Sequence, residues 1–220
     1  MTSKVQMADN GPYFSRLVQG YWRMAKWGMT PQETLSFIKA HVELGVTTVD
    51  HAAVYGGGTC ETLFGDALKL DPSLRDHIQI ISKCGIQPVR NHPTQVSHYI
   101  SSRESIIASV ETSLSRLGVD HLDALLLHRP DYLMDADEVA ETFTELKKSG
   151  KVNSFGVSNF SSSQFSLLQS RLSSPLICNQ IEVNPINFQA AEEGALDYLQ
   201  EKNVRPMAWS PLAGGRIFNE

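Results

Sequence analysis

Residues 49–58, with the sequence VDHAAVYGGG, carry an acid, Asp50, and a phenol, Tyr55, where a short apolar run gives way to three glycines. A β-branched run that ends in a polar residue before a glycine-rich turn is typical of a strand that delivers side chains into a loop. The stretch therefore predicts the end of a strand at which functional side chains are presented.

The same transition recurs along the chain. Apolar runs that predict strands occupy residues 16–22, 46–50, 78–83, 122–128, 151–158, 176–182 and 204–209. Segments with helical periodicity lie between them, and the last one spans about residues 189–201. The other helices have recognisable starts: Thr30 with Glu33, Ser101 with Glu104 and Ser161 with Gln164 predict capping boxes, and Asp135 predicts a further N-cap. The chain thus alternates strand and helix.

Strands that alternate with helices predict βαβ units, a parallel sheet and right-handed crossovers. An open doubly wound sheet and a closed barrel both satisfy this pattern. The first strand-to-helix turn lacks the GxGxxG of a dinucleotide-binding open sheet, and Gly56–Gly58 are not followed by the GK[ST] of a P-loop. We therefore predict an α/β fold, a (β/α)8 TIM barrel, of which this chain covers seven strands and six helices in one domain, residues 1–220.

The composition favours a globular protein that acts on small molecules. The chain has 220 residues, 41% of them hydrophobic, and a net charge of -5 without a dense cluster of Lys or Arg. These values argue against binding to nucleic acid or to a membrane surface. Three scattered cysteines give neither a disulfide framework nor a zinc motif, and no signal peptide or membrane-spanning run is present. We expect a cytoplasmic location.

The carboxyl end of each predicted strand carries polar or aromatic residues. In a (β/α)8 barrel these ends meet at one mouth, where the active site is built. Any one of these residues has a simple structural explanation, such as a helix cap or a solvated strand end. Their convergence is harder to explain in that way, because unpaired polar groups near an apolar core are costly. The residues are Asp50, Lys83, His128, Ser158, Asn159, Gln180, Glu182, Asn184, Trp209 and Ser210.

Three of these side chains, together with Tyr55, fit the reduction of a carbonyl. A tyrosine has an ordinary pKa of about 10, so Tyr55 is a useful proton donor only beside a cation that stabilises the phenolate. Lys83 supplies such a cation, and Asp50 is placed to hold it ionised. His128 is placed to donate a hydrogen bond to the carbonyl oxygen. No nucleophile stands out, and His92 and His98 lack a third metal ligand, so a cofactor must supply the reducing equivalent.

The sequence resembles the aldo-keto reductase family. The resemblance runs from Leu17 to Gly215 through VDHAAVYGGG, the ISK segment that ends at Lys83, LDALLLHRPD, KVNSFGVSNF, CNQIEVNP and MAWSPLAGG, in the family's order. The segments GYWRM and LLLHRPD are most similar to bacterial monomeric members of broad or unassigned substrate. The resemblance implies a monomeric NADP-dependent enzyme that reduces small aldehydes or ketones.

The resemblance also implies a role for each matching residue. Tyr55 is expected to be the general acid, with Lys83 lowering its pKa, Asp50 paired to Lys83 and His128 orienting the carbonyl. Trp22 is expected to line the substrate pocket. The residues expected to contact the cofactor are Gly20, Tyr21, Ser158, Asn159, Gln180, Trp209, Ser210, Leu212 and Gly214. Trp209 departs from the tyrosine that family members often carry there, but it keeps a flat face for stacking.

One departure from the family pattern concerns length. The chain stops at Glu220, after the seventh strand, so the family's eighth strand and last helices are absent and we expect a portion of a longer chain. The family contacts the adenosine 2′-phosphate mostly in that missing part. The resemblance therefore implies NADP(H) as cofactor without excluding NAD(H).

Two other functions remain open. Some relatives keep the barrel and its nucleotide but act as redox-sensing regulatory subunits with little turnover. A lyase or isomerase that uses Lys83 as a Schiff base is a further alternative, although the neighbouring Asp50 would hold Lys83 protonated and non-nucleophilic.

Overall fold

The computed structural model describes residues 2–89 and 96–218, so the predictions about His92 and about the terminal residue Glu220 lie outside the described residues. The strands, in chain order, are β1 (Lys4–Gln6), β2 (Tyr13–Ser15), β3 (Val18–Gly20), β4 (Thr48–Asp50), β5 (Gln79–Cys84), β6 (Ile86–Gln87), β7 (His98–Tyr99), β8 (Leu122–Leu127), β9 (Val152–Ser158), β10 (Cys178–Glu182) and β11 (Arg205–Trp209). The helices are α1 (Pro31–Glu43), α2 (Thr59–Leu68), α3 (Arg103–Leu117), α4 (Ala136–Lys148), α5 (Ser162–Gln169), α6 (Gln189–Glu192) and α7 (Ala195–Glu201).

Seven of the strands form one curled parallel sheet with the neighbour order β11-β10-β9-β8-β5-β4-β3. Each predicted strand is present, and neighbouring strands pair in parallel with helices between them in the chain. This arrangement confirms the predicted (β/α)8-barrel type of fold. Within the described residues, the outermost strands β3 and β11 each pair along one edge.

Two short antiparallel pairs, β1 with β2 and β6 with β7, were not predicted from the sequence. The first hairpin lies at the amino-terminal end of the sheet, where the Ser15 N–H donates to Thr48 Oγ1 over 3.0 Å. Phe14 from this hairpin is buried in one apolar cluster with Ile81 and Leu126. The hairpin therefore fills the interior of the curled sheet at its amino-terminal end.

The helix starts follow the predicted capping chemistry with one correction. The boxes at Thr30 and Ser161 are both formed with their Glu or Gln partners. The box predicted at Ser101 is wrong, because Ser102 caps α3 instead. Ser101 donates its hydroxyl proton to Asp131 across the neighbouring loop, over 3.1 Å.

The helix predicted at residues 189–201 is divided into α6 and α7. Gly194 lies between them with φ of 74°, a left-handed conformation that glycine adopts without steric cost. The sequence periodicity continues across this break, which explains why a single helix was expected.

Alternate residues of the central strands face two different layers. Ile80 packs in the layer between the sheet and the helices, whereas Ile81 packs in the interior of the curled sheet. The same alternation turns Lys83 inward and Ser82 outward. None of the helices within residues 2–89 and 96–218 is long and apolar enough to cross a bilayer.

Candidate active site

The inward polar residues meet at the carboxyl ends of the strands. Asp50 is the last residue of β4, Ser158 ends β9 and Trp209 ends β11, while Lys83 is one residue before the end of β5. Because parallel strands present these ends at the same edge, side chains that are far apart in sequence come into contact.

A buried lysine connects the acid and the phenol. Lys83 Nζ donates to Asp50 Oδ2 over 2.6 Å, to the Tyr55 oxygen over 3.1 Å and to the His51 carbonyl over 2.9 Å. These contacts use all three ammonium protons. Among the residues that the structure describes, no acceptor is found for the Tyr55 proton itself, so that proton remains available toward the mouth.

The Tyr55 loop is shaped by backbone contacts and by glycine. The Ala53 N–H donates to the Lys83 carbonyl over 3.0 Å, which fixes the start of the loop on β5. Gly56–Gly58 all have positive φ, between 58° and 97°, a backbone path that L side chains rarely adopt. The sequence VDHAAVYGGG therefore folds back so that Tyr55 reaches Lys83.

Burial and charge act in opposite directions on the two titratable partners. Burial raises the pKa of the Tyr55 phenol above its ordinary value, and the Lys83 ammonium acts against this rise without cancelling it. The contribution of Lys83 thus has the direction expected from the sequence, although the pKa of Tyr55 stays above its ordinary value. Desolvation lowers the pKa of Lys83, but Asp50 and Tyr55 outweigh it, so the pKa lies above its ordinary value. A lysine held protonated in this way is a poor Schiff-base nucleophile.

His128 is the fourth residue of this group and contacts the ring of Tyr55. Its ring meets the Tyr55 ring edge-on, with centroids 5.6 Å apart. Its backbone N–H donates to the Cys84 carbonyl over 2.9 Å, which fixes the backbone at this point. Burial, Lys83 and Arg129 lower the pKa of His128 to about 3. The imidazole is therefore neutral at neutral pH and can donate one N–H.

A second group of predicted residues forms a hydrogen-bonded cluster beside the first. Asn159, with φ of 60°, donates from Nδ2 to the Ser158 hydroxyl over 2.8 Å and to the His128 carbonyl over 3.2 Å. The Trp209 indole N–H donates to Asn159 Oδ1 over 3.0 Å. The Ser158 hydroxyl donates to the Gln180 carbonyl over 2.8 Å. Three strand ends are thus connected through Asn159.

Gln180 joins this cluster to the lysine site. Its Nε2 donates to Asp50 Oδ1 over 3.1 Å, across 130 positions of sequence. Asp50 therefore accepts from Lys83 on one oxygen and from Gln180 on the other. The sequence identified both residues but gave no sign of this contact.

The residues at the end of β3 and in the loop after it differ in their exposure at the mouth. Gly20 is exposed, and a Cβ built there would meet nothing within 4 Å, so the space beside it is open. Trp22 is 59% exposed and its ring centroid lies 6.4 Å from that of Tyr55, which is compatible with a pocket wall. Tyr21 requires a correction, because its side chain is fully buried and its hydroxyl lies 2.9 Å from His41 Nε2. Its backbone N–H donates to the Asp50 carbonyl over 3.0 Å, so Tyr21 offers neither its ring nor this N–H to a ligand.

The loop after β11 lies at the same edge of the sheet. Ser210, Ala213 and Gly214 all have positive φ, and the Ala213 N–H donates to the Ser210 carbonyl over 2.8 Å. Leu212 is exposed. The loop therefore turns tightly directly after Trp209. The cofactor contacts expected for Ser210, Leu212 and Gly214 stay a prediction.

His51 was not singled out by the sequence, although it lies inside the opening stretch. The ring is fully buried, stacks on Tyr21 with centroids 4.8 Å apart and meets Phe64 edge-on at 4.5 Å. Neither ring nitrogen has a hydrogen-bond partner in the described part of the chain. Burial, with a further contribution from Lys83, lowers the pKa of His51 to about 3.

This histidine predicts a pH-dependent stability. Because the folded pKa lies below the unfolded value of about 6.5, stability is fully present above pH 6.5 and is lost as pH falls toward 3. The His51→Phe variant should lose this component, so its unfolding free energy should depend less on pH, by about 1.4 kcal/mol per unit below pH 6. Urea denaturation at several pH values measures the difference.

The control for this prediction is His77→Asn, because His77 is exposed in the folded protein as well as in the unfolded chain. An unchanged pH dependence in His51→Phe would contradict the assignment of a neutral buried imidazole.

The fold and the site together define a (β/α)8-barrel protein with a Lys-centred cluster at its mouth. A model described as "Aldo/keto reductase family" matches residues 16–220, and the chain belongs to this family. Members of the family are oxidoreductases that act on small carbonyl compounds and bind a nicotinamide cofactor. Among residues 2–89 and 96–218 no group of three or more His, Cys, Asp or Glu side chains could hold a metal ion.

Individual relatives agree with this assignment. The chain is 54% identical to Oxidoreductase YdhF of Escherichia coli (strain K12), over 100% of this chain and 74% of that protein. It is 47% identical to 6-dehydroglucose reductase of Agrobacterium fabrum, over 93% of this chain and 70% of that protein. The crystal structure of the thermostable aldo-keto reductase Tm1743 in complex with the inhibitor epalrestat is similar at a TM-score of 0.82 and 26% identity, covering 97% of this chain and 74% of that one.

Proposed function

We propose that this protein reduces aldehydes or ketones to alcohols with a hydride from NAD(P)H, with Tyr55 as the proton donor. The observation that carries the proposal is the Lys83 ammonium, which lies 2.6 Å from Asp50 and 3.1 Å from the Tyr55 oxygen. Burial would otherwise make the phenol a very weak acid. The adjacent Lys83 ammonium stabilises the phenolate as it forms. Because this ammonium is itself removed from solvent, its attraction to the phenolate is strong.

The proton moves from Tyr55 to the substrate oxygen. When hydride reaches the carbonyl carbon, negative charge develops on that oxygen, and Tyr55 neutralises it by proton transfer. Lys83 then faces the phenolate. Asp50 holds Lys83 protonated and in place, and Gln180 supports Asp50 from its second oxygen.

His128 orients the substrate in this proposal. A neutral imidazole can donate an N–H to the carbonyl oxygen without competing with Tyr55 for the proton that is transferred. Because its pKa is lowered to about 3, the imidazole is neutral at neutral pH, so it orients the carbonyl and leaves the proton transfer to Tyr55. Trp22, which is exposed, lies beside Tyr55 at a centroid distance of 6.4 Å and would form an aromatic wall of the substrate pocket.

The residues at the mouth fit a nicotinamide cofactor, which supplies the hydride when bound. The open space at Gly20 leaves room beside the site. Ser158, Asn159 and Gln180 carry the donors and acceptors that a carboxamide requires, and they would hold it by exchanging some of the hydrogen bonds of their own cluster. The Trp209 ring offers a flat face for stacking. Ser210, Leu212 and Gly214 would lie along the pyrophosphate, and we propose NADP(H) as the preferred form.

The proposal is tested by following oxidation of NADPH and of NADH with a panel of carbonyl compounds. The panel includes 6-dehydroglucose, the substrate named for a 47% identical relative, together with simple aldehydes and ketones. We expect turnover with at least one carbonyl and a preference for NADPH. Cofactor binding, followed by quenching of tryptophan fluorescence, without turnover across the panel would contradict the enzyme proposal and favour a redox-sensing subunit.

A further inference from the structure

A partly buried ion pair lies behind the proposed site, in the layer between the sheet and the helices. Glu61, in the first turn of α2, is fully buried, and its Oε2 lies 3.4 Å from Nη1 of Arg116, in the last turn of α3. The Ser82 hydroxyl donates to the other Glu61 oxygen over 2.7 Å. The pair is therefore attached to β5 one residue before Lys83.

Arg116 also supports the loop that carries Tyr55. Its Nη1 donates to the Ala53 carbonyl over 3.1 Å, two residues before Tyr55. A Cβ built on Gly58 would lie 2.3 Å from Arg116 Cζ and 2.4 Å from Nη1. The guanidinium thus lies against the bare backbone of Gly58, three residues after Tyr55, and contacts both ends of the loop.

The position of Arg116 is itself closely determined. A Cβ built on Gly65 in α2 would lie 2.2 Å from the Arg116 carbonyl oxygen, so the backbones of the two helices are in direct contact at this point. This approach, which only glycine permits, holds the Arg116 backbone beside α2. This position brings the guanidinium within reach of both Ala53 and Glu61.

We propose that Arg116, oriented by Glu61, is a positioning residue that fixes the Tyr55 loop on β5 and thereby sets the separation of Tyr55 and Lys83. The Ala53 N–H already ties the start of the loop to the Lys83 carbonyl. Arg116 adds a hydrogen bond to the Ala53 carbonyl and packs against Gly58 at the other end of the loop. Through Glu61 and Ser82 it also connects the loop to the strand that carries Lys83. The effect on turnover rests on the proposed function, whereas the effect on the geometry of Tyr55 does not.

The test compares Arg116→Lys and Glu61→Gln with Arg103→Lys as the matched control. Lysine keeps the positive charge but cannot lie flat on Gly58 while it binds both Ala53 and Glu61, since it lacks the planar fork of arginine. Glutamine keeps the size of Glu61 and its bond to Ser82. Arg103 is an exposed arginine at the opposite end of the same helix, paired with Glu145 on the surface.

The first readout does not depend on catalysis. With ¹³C-labelled tyrosine, NMR titration reports the pKa of Tyr55, which a Tyr55→Phe spectrum assigns. We expect this pKa to rise by about one unit in Arg116→Lys and less in Glu61→Gln, because the phenol moves away from the Lys83 ammonium. Arg103→Lys should leave it unchanged. A folded Arg116→Lys or Glu61→Gln protein with an unchanged Tyr55 pKa would overturn the proposal.

The second readout is kinetic. We expect kcat in Arg116→Lys to fall by roughly 10- to 100-fold with little change in KM for the cofactor, because a small misplacement of a reacting group acts mainly on the chemical step. A lower melting temperature with unchanged kcat per folded molecule would overturn the proposal in favour of a purely structural ion pair. If wild type shows no turnover but the Tyr55 pKa still shifts, the proposed function fails while the positioning role stands.

Discussion

Replacing Tyr55 with phenylalanine is expected to lower kcat for carbonyl reduction by roughly 10²- to 10⁴-fold, the usual contribution of a positioned general acid. The aromatic ring keeps its contacts with His128 and Trp22, so the shape of the mouth should be preserved. The variant loses only the hydroxyl that Lys83 contacts at 3.1 Å. Steady-state kinetics measures the loss, and fluorescence titration should show that cofactor affinity is retained.

The matched control is Tyr198→Phe, which removes a tyrosine hydroxyl that contacts Ser166 on the helical surface. This variant should retain wild-type kcat. Wild-type turnover in Tyr55→Phe would show that another group supplies the proton.

The second large effect is expected on stability. In Lys83→Met the Asp50 carboxylate stays buried without its cation, and breaking a buried pair in this way typically costs about 3–5 kcal/mol. The side chains of Lys83 and Asp50 are 0% and 11% exposed, so solvent cannot replace the lost contact. Urea denaturation measures the loss of unfolding free energy, and reductase activity should be lost as well.

Two further variants separate charge burial from other causes. Lys151→Met removes a lysine paired with Glu111 at the surface, where an ion pair contributes only about 0–1 kcal/mol. The double variant Asp50→Leu with Lys83→Met should recover most of the lost stability, since apolar pairs often replace buried ion pairs without cost. A single Lys83→Met variant as stable as Lys151→Met would refute the explanation.

Periodicity was enough to place the seven strands of the parallel sheet. The inner strands are mostly buried runs bounded by turn residues, whereas the outermost strands β3 and β11 are more exposed. The hairpin of β1 and β2 was missed, since three-residue strands such as KVQ carry no measurable alternation. The break at Gly194 was missed for the opposite reason, because the apolar pattern continues through it.

The site was predictable as a set of residues but not as a set of contacts. Asp50, Lys83 and His128 follow from their places at strand ends, which the alternation of strands and helices brings to one edge. The bond from Gln180 to Asp50 depends on how the sheet curls, which no local pattern specifies. Tyr21 was misplaced because its neighbours Gly20 and Trp22 are exposed while its own ring is turned into the core.

The groups behind the site gave even less signal. Glu61 and Arg116 are 55 positions apart, and each is an ordinary charged residue of an amphipathic helix. Their contact depends on Gly58 and Gly65. The need for glycine at these two positions follows only from the structure, in which a Cβ atom would overlap Arg116.

Both faces of strand β5 carry residues with a proposed role, since Lys83 points inward and Ser82 points toward the helices. A single inserted or deleted residue in this strand would exchange the two faces. Length changes here should therefore be tolerated, if at all, only in pairs. This arrangement matters for protein design. Moving only Asp50, Tyr55, Lys83 and His128 onto another barrel would leave out Ser82 and the helices α2 and α3 whose side chains contact it and the Tyr55 loop.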